Sequence, residues 1–185
     1  MNPKKALLII DMQNGCFTPD APKLDADGVL ERINSLSTQF RAIDAPVILI
    51  QQDSSKWKRF VPNTPEWETI PELEVSPNDI SINKTANDAF YRSTLHATLK
   101  KLKVKELYIT GSATEFCVNA TVLSALTKDY SVTVVKDGHT TGDKPHIDAK
   151  RIVEHYNWVW QHMIPTKGSI KVLDFEALDR STPLL

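Results

Sequence analysis

Five consecutive apolar residues, Ala6-Leu7-Leu8-Ile9-Ile10, stop abruptly at Asp11. A run without polar alternation has no face to offer solvent, so it suits a strand covered on both sides. Short aliphatic or β-branched runs recur along the chain, each followed by a stretch with helical spacing. That alternation is the mark of βα units and a parallel sheet.

The second run is Pro46-Val47-Ile48-Leu49-Ile50, ending in Gln51-Gln52-Asp53, and the third is Ile80-Ser81-Ile82-Asn83, with Lys84 just past it. Leu107-Tyr108-Ile109-Thr110 leads into Gly111-Ser112-Ala113-Thr114-Glu115-Phe116-Cys117. Val132-Thr133-Val134-Val135 precedes Asp137-Gly138-His139-Thr140-Thr141, and Ile170-Lys171-Val172 makes a weaker sixth strand. The spacing predicts a helix over Gly28 to Ile43, with Val29, Ile33, Leu36, Phe40 and Ile43 at intervals of three and four. Ser93 can cap another through about Leu102, with Leu95 and Leu99 inward. A third follows Cys117, with Val118, Val122, Ala125 and Leu126 on one face, and a fourth covers about Ile147 to Trp160. Ser54 to Pro77 shows no period. Loops this long inside compact domains are commonly functional, so it is a candidate wall or lid for a pocket. Without repeat, low-complexity tract or linker, residues 1–185 read as a single doubly wound α/β domain.

Charge and cysteine content narrow the function. Lys plus Arg (22) nearly balances Asp plus Glu (23), leaving no basic excess to track a phosphate backbone, so no nucleic-acid partner is expected. The longest apolar run, Ala6 to Ile10, is too short to span a bilayer. The start, Met1-Asn2-Pro3-Lys4-Lys5, lacks an apolar stretch of signal-peptide length, which sets the expectation of a cytoplasmic protein with no membrane partner. Two cysteines build neither a disulfide scaffold nor an all-cysteine zinc site.

Sites in open α/β sheets lie at the carboxyl ends of strands, where strand order reverses. Asp11, Lys84 and Cys117 all occupy such ends. If the order is 3-2-1-4-5-6, the first and fourth strands are neighbours, and Asp11 faces Cys117 across the crevice. A helix N-terminus and a nearby cation such as Lys84 stabilise a thiolate, and a carboxylate beside the thiol can take its proton and deliver it to a leaving amine. Singly, each has a plain structural explanation: a packed thiol, a turn-forming Asp, a solvated Lys. Their coincidence at three strand ends is what suggests chemistry.

Leu7-Leu8-Ile9-Ile10-Asp11-Met12-Gln13, then Lys84 followed by Phe90-Tyr91, then Gly111-Ser112-Ala113-Thr114-Glu115-Phe116-Cys117-Val118 resembles the isochorismatase-like cysteine hydrolase family over essentially the whole chain. The resemblance implies a three-layer α/β/α fold with a six-stranded parallel sheet and an Asp-Lys-Cys triad, here Asp11, Lys84 and Cys117. It also implies a cis peptide between Ser112 and Ala113, an oxyanion hole made by the amides of Ala113 and Cys117, and assembly into homodimers or larger homo-oligomers. Nicotinamidases in the family carry an Asp-x-His metal motif after the second strand, whereas this chain reads Gln51-Gln52-Asp53-Ser54-Ser55. No metal or other cofactor is therefore expected. Isochorismatases proper cleave a vinyl ether and lack the cysteine, so Cys117 tilts the reading toward hydrolysis of a C–N bond in a small amide or ureido substrate. The alternatives are a vinyl-ether hydrolase, a non-catalytic binding protein retaining the fold, or a redox thiol protein using Cys117 and Cys16.

Gln13, Phe17, Trp57, Tyr91, Phe116 and His139 are candidates for the substrate pocket, and Cys16 for its wall. Cys117 is expected to be the more reactive thiol, and Lys84→Met to slow its alkylation without unfolding the protein.

Overall fold

The computed structural model describes residues 4–181. The opening Met1-Asn2-Pro3 and the last four positions of the span 1–185 lie outside the described residues. The apolar runs become β1 (Lys4–Ile10), β2 (Val47–Gln52), β3 (Ile80–Lys84), β4 (Val104–Ser112), β5 (Ser131–Thr140) and β6 (Ile170–Leu173). All pair in parallel, in the order β3-β2-β1-β4-β5-β6. The helices are α1 (Ala26–Ala42), α2 (Leu95–Lys101), α3 (Asn119–Thr127), α4 (Ala149–Gln161) and α5 (Phe175–Ser181).

Side chains on a strand alternate between faces, and β1 divides accordingly. Ala6, Leu8 and Ile10 pack with α2, α3 and α4 through Leu95, Leu99, Val122, Ala125 and Trp160. Leu7 and Ile9 pack on the other face with Val29, Ile33, Leu36 and Phe40 of α1 and Leu178 of α5. The three layers follow from that division. Each of the four α1 side chains is essentially buried, and burying a side chain of this size contributes about 1.5–3 kcal/mol.

Several boundaries differ from the sequence-based expectation. β5 extends to Thr140 and takes in Asp137-Gly138-His139, which the sequence places past the end of the strand. It does so by bulging: Ile109 pairs with Val134, yet Gly111 pairs with His139. α2 begins at Leu95, and the Ser93 hydroxyl accepts a hydrogen bond from the Leu95 amide. Gly111 lies close against β1, in register with Ile10. Its φ is 116°, and a Cβ there would fall 2.1 Å from the Ile10 carbonyl oxygen; only glycine fits.

Ser54 to Pro77 is a wall rather than a detached flap. Glu66 and Glu68 carbonyls accept from the amides of Gly15 and Asn14, and the Ile70 amide donates to Met12 O. Ile70 and Leu73 are buried in the α1-side core. The Arg41 guanidinium pins the far end, donating to Asp79 and to the Glu74 carbonyl. Among the described residues no helix is long and apolar enough to cross a membrane.

Candidate active site

β1 and β4 are adjacent, and the chain leaves them in opposite directions along the sheet, which opens a crevice beyond their carboxyl ends. Asp11 follows β1 directly. Its backbone is left-handed (φ 50°), a region that Asp tolerates better than most residues, and its amide donates to Ile50 O of β2 at 2.9 Å. Lys84 closes β3 in register with Gln52 of β2. After β4 the Ser112–Ala113 peptide is cis, as the resemblance implies. A π-helical turn, Thr114–Val118, then carries Cys117 into α3. Such turns are rare and concentrate at functional sites.

The three side chains meet. Lys84 Nζ lies 2.8 Å from Asp11 Oδ2, 2.6 Å from Gln52 Oε1 and 3.3 Å from Cys117 Sγ. An ammonium has three donors, and all three are used. The Lys84 side chain is wholly buried and that of Asp11 almost so. Asp11 Oδ1 is buried with no hydrogen-bond partner. A lone buried acceptor beside a thiol is a place to put a proton. The thiol itself reaches Asn87 Oδ1 at 3.6 Å.

Burial, reinforced by the negative charge of Asp11, pushes the Cys117 thiol well above its ordinary range, with Lys84 acting against both. Burial and Asp11 thus favour the thiol form of Cys117, and Lys84 favours the thiolate. Burial also raises the Asp11 carboxyl against the pull of Lys84. For Lys84 burial works against the charge, but attraction from Asp11 and Cys117 prevails and holds the ammonium. The proton of the thiol thus has a nearby base whose affinity for it is enhanced. Cys16 is pushed up to about 12, by burial first and then by Asp11; like Cys117 it is a free thiol.

Asp11 and Cys117 open onto a cleft of about 350 Å³ that Trp57, Phe60, Phe116 and Cys16 also line. That volume is at the small end for small-molecule sites. Of the sequence-based pocket candidates, Trp57, Phe116 and Cys16 line this cleft, and Gln13, Phe17, Tyr91 and His139 do not. Gln13 is fully buried and holds the wall in place, with Nε2 donating to Trp67 O and Oε1 accepting from the Gln52 amide, both at 2.8 Å. Phe17 packs against the α1-side core. Tyr91 is half-exposed under the Arg92 guanidinium, away from the cleft.

His139 lies behind the site. The β5 bulge turns it inward, where Nδ1 bonds Thr114 Oγ1 at 2.9 Å, Nε2 bonds Asn157 Oδ1 at 3.0 Å and the ring meets Trp160 edge-on. Its role is to brace the π-helical turn. Burial lowers its pKa to about 4, so the folded protein holds it neutral while the unfolded chain protonates it near 6.5. A depressed folded pKa gives stability that is complete above the unfolded value and is lost as pH falls through the folded one. Between pH 7 and pH 5 this loss is about 2 kcal/mol. Urea unfolding at both pH values is expected to show it in the wild type, and His139→Gln to flatten that difference.

Gln52, Asn87 and Lys23 were absent from the candidates. Gln52 and Asn87 had a usable signal, since each stands at or just beyond the carboxyl end of a strand. Lys23, in the loop after β1, had none. Asp53, the remnant of a metal motif, spends its Oδ1 on the amide and hydroxyl of Ser55. No cluster of three metal-ligating side chains occurs among the described residues, so the residues here do not fit the nicotinamidase metal.

The family model of the isochorismatase domain matches residues 5–159. This chain belongs to the isochorismatase-like cysteine hydrolase family. Among its relatives in the isochorismatase family, a streptothricin hydrolase of Streptomyces noursei is 33% identical over 145 residues, covering 78% of this chain and 58% of the relative. The chain thus spans little more than half the length of that enzyme. The ureidoacrylate amidohydrolase RutB of Variovorax paradoxus is 26% identical over 168 residues, covering 71% of this chain and 67% of RutB. A solved isochorismatase family protein aligns with a TM-score of 0.84 at 28% identity, covering 92% of this chain and 98% of its own.

Proposed function

We propose that this chain hydrolyses a C–N bond of a small amide or ureido substrate through a covalent thioester on Cys117. The observation that carries the reading is the Lys84 ammonium bridging Asp11 Oδ2 and Cys117 Sγ at the cleft floor. The named activities of the streptothricin hydrolase and the ureidoacrylate amidohydrolase support the same reaction class.

Cys117 Sγ attacks the substrate carbonyl carbon while its proton passes to Asp11. The carbonyl oxygen becomes an oxyanion held by the amides of Ala113 and Cys117, a preorganised arrangement that costs no reorganisation during the reaction. The tetrahedral species collapses, the C–N bond breaks and the Asp11 proton leaves on the nitrogen as ammonia or an amine. Water then attacks the thioester, giving a proton to Asp11, and the acid product departs as Cys117 takes that proton back. Lys84 remains an ammonium throughout. It keeps Asp11 in place and balances the charge that passes between carboxylate and sulfur.

Ammonia release from a panel of small amides and ureides tests the proposal. Release from at least one carbonyl C–N substrate is expected; release from none, with turnover of a vinyl ether instead, overturns it.

A further inference from the structure

Only two of the residues lining the cleft are charged, Asp11 and Lys23. Asp11 is matched by Lys84. Lys23 is matched by nothing: among the described residues it makes no ion pair and no hydrogen bond. Three carboxylates of the surrounding loops have partners of their own. Asp25 pairs with Arg32, Asp143 Oδ1 accepts from the Ala149 amide, and Glu115 pairs with Lys144.

The backbone next to Lys23 is held in its place. The Leu24 amide donates to Thr141 O at 2.9 Å and the Thr140 hydroxyl donates to Leu24 O, tying this loop to the end of β5. The Lys23 stem passes beside Gly142, where a Cβ would lie 3.8 Å from Nζ and 2.9 Å from Pro22 O. A side chain at 142 would displace the Pro22 backbone and with it the lysine beside it. The charge is felt inside the cleft, where Lys23 opposes the rise of the Cys16 thiol. Around it stand the side chains of Trp57, Phe60 and Phe116, so a ligand seated against them and Lys23 would place an apolar body and an anionic end side by side.

We infer that Lys23 is a specificity-determining residue that binds an anionic group, a carboxylate, on the substrate. This rests on the cleft being the reaction site proposed above and narrows its substrate to a small amide or ureide bearing an acid. The carboxylate pairs with Lys23 on the wall while the scissile carbonyl lies over Cys117.

Two alkylating reagents of nearly equal size and opposite relevance test it: iodoacetate, which carries the carboxylate, and iodoacetamide, which does not. The rate of modification at Cys117 is followed by peptide mapping for both, and their ratio is compared between proteins, so that the constant influence of Lys84 cancels. Iodoacetate is expected to show saturation in the wild type. Its rate relative to iodoacetamide is expected to fall by roughly tenfold or more in Lys23→Met, to be retained in Lys23→Arg, and to be unchanged in Lys136→Met. A ratio that stays within about twofold in Lys23→Met overturns the assignment, because roughly tenfold is the least that one charged hydrogen bond supplies. The ratio is measured without any turnover. Loss of the hydrolase reading would leave it intact, and loss of the Lys23 site would leave the ammonia-release result intact.

Discussion

Lys84→Met is expected to destabilise the protein by about 3–5 kcal/mol and to remove turnover with it. The sequence alone suggested a milder outcome, slower alkylation of Cys117 in an otherwise unaltered fold. The difference is burial. Lys84 and Asp11 face each other at 2.8 Å with almost no solvent access, and removing one partner strands the other's charge in the interior. Asp11 already has one unpartnered oxygen; without Lys84 its other oxygen loses the ammonium, and Gln52 Oε1 loses its donor as well. Urea unfolding of Lys84→Met, Asp11→Asn and the double variant separates the causes. The double variant is expected to be more stable than Lys84→Met alone, since it leaves no orphaned charge. If Lys84→Met unfolds at the wild-type midpoint, the pair is not the buried support described here.

Asp11→Asn is expected to cut turnover by roughly 10²–10⁴-fold, the usual range for a lost general base, while making Cys117 easier to alkylate. The two readouts move in opposite directions because Asp11 does two things to the thiol. Its negative charge raises the thiol pKa, and in the proposed reaction its free oxygen receives the thiol proton during attack. Removing the charge lowers the thiol pKa and exposes more thiolate to iodoacetamide, yet the leaving nitrogen loses its acid. In the wild type the acid limb of kcat/KM is expected above the ordinary carboxylate range, because burial raises Asp11. Alkylation and turnover falling together would show Asp11 to be a structural support alone.

The layers were legible because apolar periodicity reports burial directly. Val29, Ile33, Leu36 and Phe40 sit where a period of 3.6 puts them, and Ala6 to Ile10 is covered on both faces. The convergence of Asp11, Lys84 and Cys117 was legible for a topological reason: parallel strands deliver their carboxyl-terminal neighbours to one edge. What was hidden depends on register and on single side-chain directions. Nothing in Asp137-Gly138-His139 announces a bulge that continues β5 and turns His139 away from the cleft. Gln13 stands two residues past Asp11 in the same strand-end loop, but only the fold shows that its amide is consumed by Gln52 and Trp67. The place of Lys23 on the cleft was invisible because an unmatched charge is a property of three-dimensional surroundings.

Cys117→Ala tests the covalent route most directly. The variant removes one sulfur from a half-buried position, leaves the Asp11–Lys84 pair in place and keeps the backbone of the π-helical turn. Ammonia release is measured for wild type and variant in parallel, on whichever amide or ureide the wild type turns over, with circular dichroism to establish that both are folded. The expected result is a loss of roughly 10⁴-fold or more, as when a catalytic nucleophile is deleted. A folded Cys117→Ala protein that releases ammonia at the wild-type rate would contradict the assignment of Cys117 as nucleophile.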